Sequence, residues 1–170
     1  RNQSLWIYTA DCIPILIADK ETRNIAACHC GLKGLKTQII SKTLKKLIEI
    51  GSAKNNLIIA IGPSIKGDKY QVKIKDVADL IIKTSGDSFP EENYSIDINK
   101  ENPINLFKRE INNETLLFDI QAAAILQFYK EGIKQSQINL NRLCTYSNPE
   151  LFNSFRRDHT SLRQWSCIYS

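Results

Sequence analysis

Three side chains near the start of the chain have the types and spacing to do chemistry. Asp11 and Cys12 lie in TADCIPIL (residues 9–16), and His29 lies in CHCGLKG (28–34). The segments CIPILIA (12–18) and RNIAACHC (23–30) read as strands joined by a short polar connection, so they should pair antiparallel. With residues 19–22 as the loop, Ala18 pairs with Arg23 and Cys12 falls directly opposite His29. Opposed Cβ atoms in such a pair lie about 4.5–5.5 Å apart. A zinc ion, with Zn–S about 2.3 Å and Zn–N about 2.0–2.1 Å, fits that gap, and so does a thiol–imidazole hydrogen bond. Two chemistries stay open: metal ligation by Cys12 and His29, or a Cys12 nucleophile with His29 as its base. Asp11 is placed to orient a ligand, or to hold backbone groups. Cys28 and Cys30 alternate to the face opposite His29 and read as small core residues.

The elements that must position this hairpin follow from periodicity. Pro14 inside the first strand predicts an edge position or a bulge. Residues 32–50 place Leu32, Leu35, Ile39, Ile40, Leu44, Leu47 and Ile48 on one helical face, with Gly51 closing the helix. NLIIAIGPSI (56–65) reads as a buried strand and a Gly-Pro turn, and residues 74–83 as a short helix. Residues 84–105 are polar and read as a long loop. A further helix is predicted over 119–131, with Asp119 as its N-cap and Gly132 after it. Short strands are predicted near 138–143 and 165–169. The mixture predicts an α/β layered sandwich around one mixed sheet.

The 170 residues suffice for one domain with a real core. Five cysteines without regular spacing are not a disulfide framework and fit a reducing, cytoplasmic setting. No apolar run reaches the roughly 18 residues of a membrane span. The net charge of +5 is spread over predicted helices without interleaved aromatics, which reads as solvated surface and not as a nucleic-acid footprint. The chain contains no Met, and we expect a single domain over 1–170 trimmed at its N-terminus.

Five segments, in order, resemble one family. TADCIPIL (9–16) and HCGLKG (29–34) are similar to its TADC-P and HAGWRG motifs. IGPSIKGDKYQV (61–72), FDIQAAAILQFYKEGI (118–133) and LCTYSNPELFNSFRRD (143–158) resemble its remaining segments. The chain is thereby identified as resembling the laccase-domain family, formerly multicopper polyphenol oxidases and now described as purine nucleoside enzymes. The resemblance implies a mixed-sheet α/β sandwich related to cysteine hydrolase-like toxin domains. It implies a zinc-type site made by the family's upstream histidine, which has no counterpart among these 170 residues, together with Cys12 and His29. It implies phosphorolysis of purine nucleosides, with phosphate as co-substrate, and deamination of adenosine. Lys33, Arg156 and Arg157 are then candidates to hold phosphate or purine. Copper chemistry is the older description, and two histidines cannot furnish a blue-copper site plus a trinuclear cluster. Leu32, Lys33, Gln71 and Ser147 depart from the family pattern, and a degenerate, non-catalytic member is an alternative, as is a cysteine hydrolase or deamidase.

Overall fold

The computed structural model describes residues 3–85, 94–97, 103–109 and 114–170. Its central sheet has the strand order β3-β2-β4-β9. β2 (Ile13–Asp19) pairs antiparallel with both β3 (Ile25–Cys30) and β4 (Leu57–Ile61), and β4 pairs parallel with β9 (Ile138–Leu140). The sheet is therefore mixed, as expected. It is not alone. A second, antiparallel sheet has the order β5 (Gln71–Lys73), β8 (Thr115–Phe118), β7 (Pro103–Arg109), β6 (Tyr94–Asp97). β1 (Ser4–Thr9) and β10 (Gln164–Tyr169) form a ribbon that packs against β2 and β3.

Alternation explains the layers. Ile13, Ile15 and Ile17 of β2, with Ile59 and Ile61 of β4, are wholly or almost wholly buried. They meet Leu35 of α1 (Leu32–Lys36) and Ile40, Leu44 and Leu47 of α2 (Ile39–Glu49). The expected single helix over 32–50 is thus two, broken where Gln38 takes the left-handed conformation at φ 57°. α3 (Ile74–Ser85) and α4 (Ile120–Lys130) complete the layer. α4 is apolar on nearly every side, because it lies between α1, α2 and α3 and also touches β7. Asp119 caps it by accepting from the Ala122 N–H at 2.9 Å, as predicted.

Three further expectations are corrected. β2 lies inside its sheet, not at an edge. Pro14 is tolerated there because it is the second residue of the strand. Its carbonyl accepts from Gly62 N at 2.9 Å, and its ring fills the space that a Gly62 side chain would need. Residues 84–105 are not one long loop: they include the last two residues of α3, β6 and the start of β7, and the rest of that stretch lies outside the described residues. Third, the hairpin register is 13↔30 and 14↔29, so His29 stands opposite Pro14 and not Cys12. The turn is longer than expected because Asp19 organises it. Asp19 Oδ1 accepts from the N–H groups of Glu21 and Thr22 at 2.8 and 3.0 Å, and Arg23 sits at φ 62°. The slip is two residues, so every side chain keeps its expected face.

Candidate functional site

The turn between β1 and β2 carries Ala10, Asp11 and Cys12, and three remote segments converge on it. Asp11 Oδ1 accepts from Thr145 Oγ1 and from Ser154 Oγ, each at 2.8 Å, and Oδ2 accepts from the Arg156 N–H at 2.7 Å. The Asp11 carbonyl accepts from Ile65 N at 3.0 Å. Gln164 Nε2 donates to the Ala10 carbonyl at 2.8 Å. Asp11 is therefore a clamp. Its two carboxylate oxygens tie 145, 154 and 156 to the turn, which is a positioning role and not that of a free acid or base.

Cys12 packs on Gly31, where any side chain would overlap its Sγ. Extending the register by one pair places Cys12 against Gly31 and His29 on the diagonal of the same face. His29 is exposed, while Cys28 and Cys30 are buried on the core face, as alternation predicts. Burial pushes the Cys12 thiol above its ordinary range and the Asp11 carboxylate adds to this, while the Arg163 guanidinium pulls the other way. Burial thus favours the thiol of Cys12 over the thiolate, which weakens the nucleophile reading. Burial also raises Cys30, next to Cys28 and Cys12. A sulfur and an imidazole nitrogen suit zinc in kind. Two donors do not make a zinc centre, and among the described residues no group of three or more His, Cys, Asp and Glu is placed to hold an ion.

The basic candidates separate. Arg156 leans over the Tyr70 ring, its Cζ 5.0 Å from the centroid, and its Nη1 donates to the Gln71 carbonyl at 2.8 Å. Tyr70 is held above its ordinary range first by burial and then by Cys12. Arg157 is fully engaged: Nη1 donates to the Thr145 and Tyr146 carbonyls, Nη2 to the Phe152 carbonyl, and Nε and Nη2 to Asp158. All five N–H groups have acceptors, so this arginine staples the 145–158 loop and has no donor left for phosphate. Lys33 is exposed on α1, with no side-chain partner among the described residues. Arg163 is the residue the sequence reading missed. It follows no basic run, and only the β1–β10 pairing of Thr9 with Gln164 brings it beside the Cys12 turn. Thr9 itself is buried, and its hydroxyl has no protein partner among the described residues.

The family model described as multi-copper polyphenol oxidoreductase laccase matches residues 1–170, and the chain belongs to that family. A purine nucleoside phosphorylase of Synechocystis sp. is 34% identical over 175 residues, covering 99% of this chain and 64% of that protein. A purine nucleoside phosphorylase of Aquifex aeolicus is 34% identical over 170 residues, covering 99% and 66%. The crystal structure of YlmD from Geobacillus stearothermophilus superposes with a TM-score of 0.80 at 26% identity, covering 98% of this chain and 56% of that one. The chain thus spans about two thirds or less of the length of these relatives. Among the described residues, no helix is long and apolar enough to cross a membrane.

Proposed function

We propose that this chain carries the reaction centre of a purine nucleoside phosphorylase. The observation that supports it best is the convergence on Asp11. The family-like segments 9–16, 61–72 and 143–158 are drawn to one turn by hydrogen bonds of 2.7–3.0 Å, so the matching residues form one place and not scattered surface. In phosphorolysis a phosphate oxygen attacks C1′ of the ribose and the bond from C1′ to the purine nitrogen breaks. Its electron pair leaves with the base, which takes up a proton, and ribose 1-phosphate remains. Arginine donors near the turn would hold the phosphate oxygens. Asp11 fixes the turn, and His29 on the open face is the group placed to move a proton. Cys12 and His29 would contribute two ligands to a zinc-type ion only where a third donor joins them.

The test is chromatography of inosine and adenosine incubated with the protein, with and without phosphate, beside Cys12→Ala and His29→Ala. Free base and ribose 1-phosphate, formed only with phosphate and lost in the variants, are the expected products. Inosine from adenosine without phosphate would add the deaminase activity. Turnover in neither arm, with the chain folded, would overturn the reading in favour of a non-catalytic member.

A further inference from the structure

We infer that Arg163, not Arg157, is the phosphate-holding arginine of this site, with Arg156 as its companion. The inference rests on the phosphorylase reading for its ligand. Three observations carry it. First, Arg157, which the sequence makes the obvious partner of Arg156, has every donor spent on Thr145, Tyr146, Phe152 and Asp158. Second, Arg163 spends only one edge. Its Nη1 donates to the Thr160 and Leu162 carbonyls at 2.8 and 2.7 Å, and Nε and Nη2 have no protein partner among the described residues. Nε and Nη2 are the side-on fork with which a guanidinium binds an oxyanion in two parallel hydrogen bonds. The Nη1 bonds and the Phe155 ring, 5.9 Å from Cζ, hold that fork in place in advance. Third, the residue sits at the right point of the fold. Gln164 pairs with Thr9 and its side chain bonds Ala10, so Arg163 is one residue from the strand end that opens into Asp11 and Cys12. Arg156 is tied to the same turn by its backbone N–H on Asp11, and its own Nε and Nη2 have no protein partner among the described residues.

Equilibrium dialysis with radiolabelled inorganic phosphate tests this on the 170-residue chain, alongside the phosphate KM where turnover is seen. Arg163→Gln is expected to weaken phosphate binding about tenfold or more, with Arg163→Lys between it and wild type, because lysine keeps the charge and loses the fork. In turnover the phosphate KM rises while the nucleoside KM holds, a split that a merely structural arginine does not give. Arg23→Gln, which removes a cation at the far end of the hairpin, leaves binding unchanged and accounts for net charge. A second measurement needs no variant: phosphate slows iodoacetamide alkylation of Cys12, read by peptide mass spectrometry. The inference is overturned if folded Arg163→Gln binds phosphate within about twofold of wild type, if phosphate leaves Cys12 alkylation unchanged, or if wild type binds no phosphate. Arg163-dependent phosphate binding without release of base from any nucleoside would instead uphold the site and remove the phosphorylase reading.

Discussion

Replacing Asp11 with alanine tests whether this carboxylate is the clamp that the geometry makes it. The side chain accepts three hydrogen bonds of 2.7–2.8 Å. Two come from hydroxyls of Thr145 and Ser154, residues with 0% exposure, which have no water to turn to when the acceptor is removed. A hydrogen bond to a charged group contributes about 1.5–3 kcal/mol, so the two hydroxyl bonds sum to about 3–6 kcal/mol. The third donor, Arg156 N, belongs to an exposed residue, where water replaces the lost acceptor and the cost is small. Asp11 is itself only half-buried and regains hydration in the unfolded chain. The expected loss is therefore about 3–4 kcal/mol. With m of about 2 kcal/mol/M in urea, the unfolding midpoint falls by about 1.5–2 M at unchanged m. Asp11→Asn keeps one acceptor oxygen and should lose about half as much. The Asp11→Ala/Ser154→Ala cycle should show a coupling of at least about 1 kcal/mol. A midpoint within about 0.3 M of wild type, or strictly additive single effects, refutes the clamp.

Gly31→Ala forces a methyl group onto Cys12 Sγ. We expect about 1–3 kcal/mol of destabilisation from overpacking and faster alkylation of Cys12, and wild-type values for both would mean the thiol does not rest on Gly31. Gln121, 3% exposed, donates from Nε2 to the carbonyls of Gly62 and Asn141 at 3.1 and 3.0 Å, joining the ends of β4 and β9. Gln121→Leu strands both acceptors and should cost about 2–4 kcal/mol in thermal or urea unfolding. Burial tends to raise Asp19, but N–H bonds from Thr22, Glu21 and Ala53 outweigh it and leave the carboxyl below its ordinary range. The unfolded chain then binds this proton more readily than the folded one. Asp19 thus contributes stability fully above its unfolded pKa of about 4, and that contribution disappears as pH falls through the lower folded value. Stability measured from pH 6 to 2 should fall less steeply in Asp19→Asn than in wild type, and an identical acid limb would contradict the assignment.

Much of this was legible in residue types. The Cys12–Cys30 hairpin, the faces of its strands, α2 and α4, and the Asp119 cap all follow from local patterns that the tertiary structure leaves intact. The register was not, because Asp19 lengthens the turn through its own side chain, a choice that polar residues 19–24 do not announce. The second sheet was hidden by short strands such as Gln71–Lys73, whose pairing partner lies some forty residues on. The two adjacent arginines 156 and 157 look equivalent in sequence. On a single turn of α5 (Phe155–Asp158) they point apart, and only the carbonyls of 145, 146 and 152 decide which is spent. Arg163 could not be read at all without the pairing of β1 with β10.

The bonds on Asp11 span 134, 143 and 145 residues of chain. A ribosome adding about 5–20 residues per second takes about 7–30 s to travel from Asp11 to Arg156. For that interval the nascent chain exposes the β2–β3 hairpin with its Cys12 turn unanchored. The Asp11 clamp therefore closes only once residues 145–156 have been made, and a chain halted before residue 145 has the hairpin without the clamp.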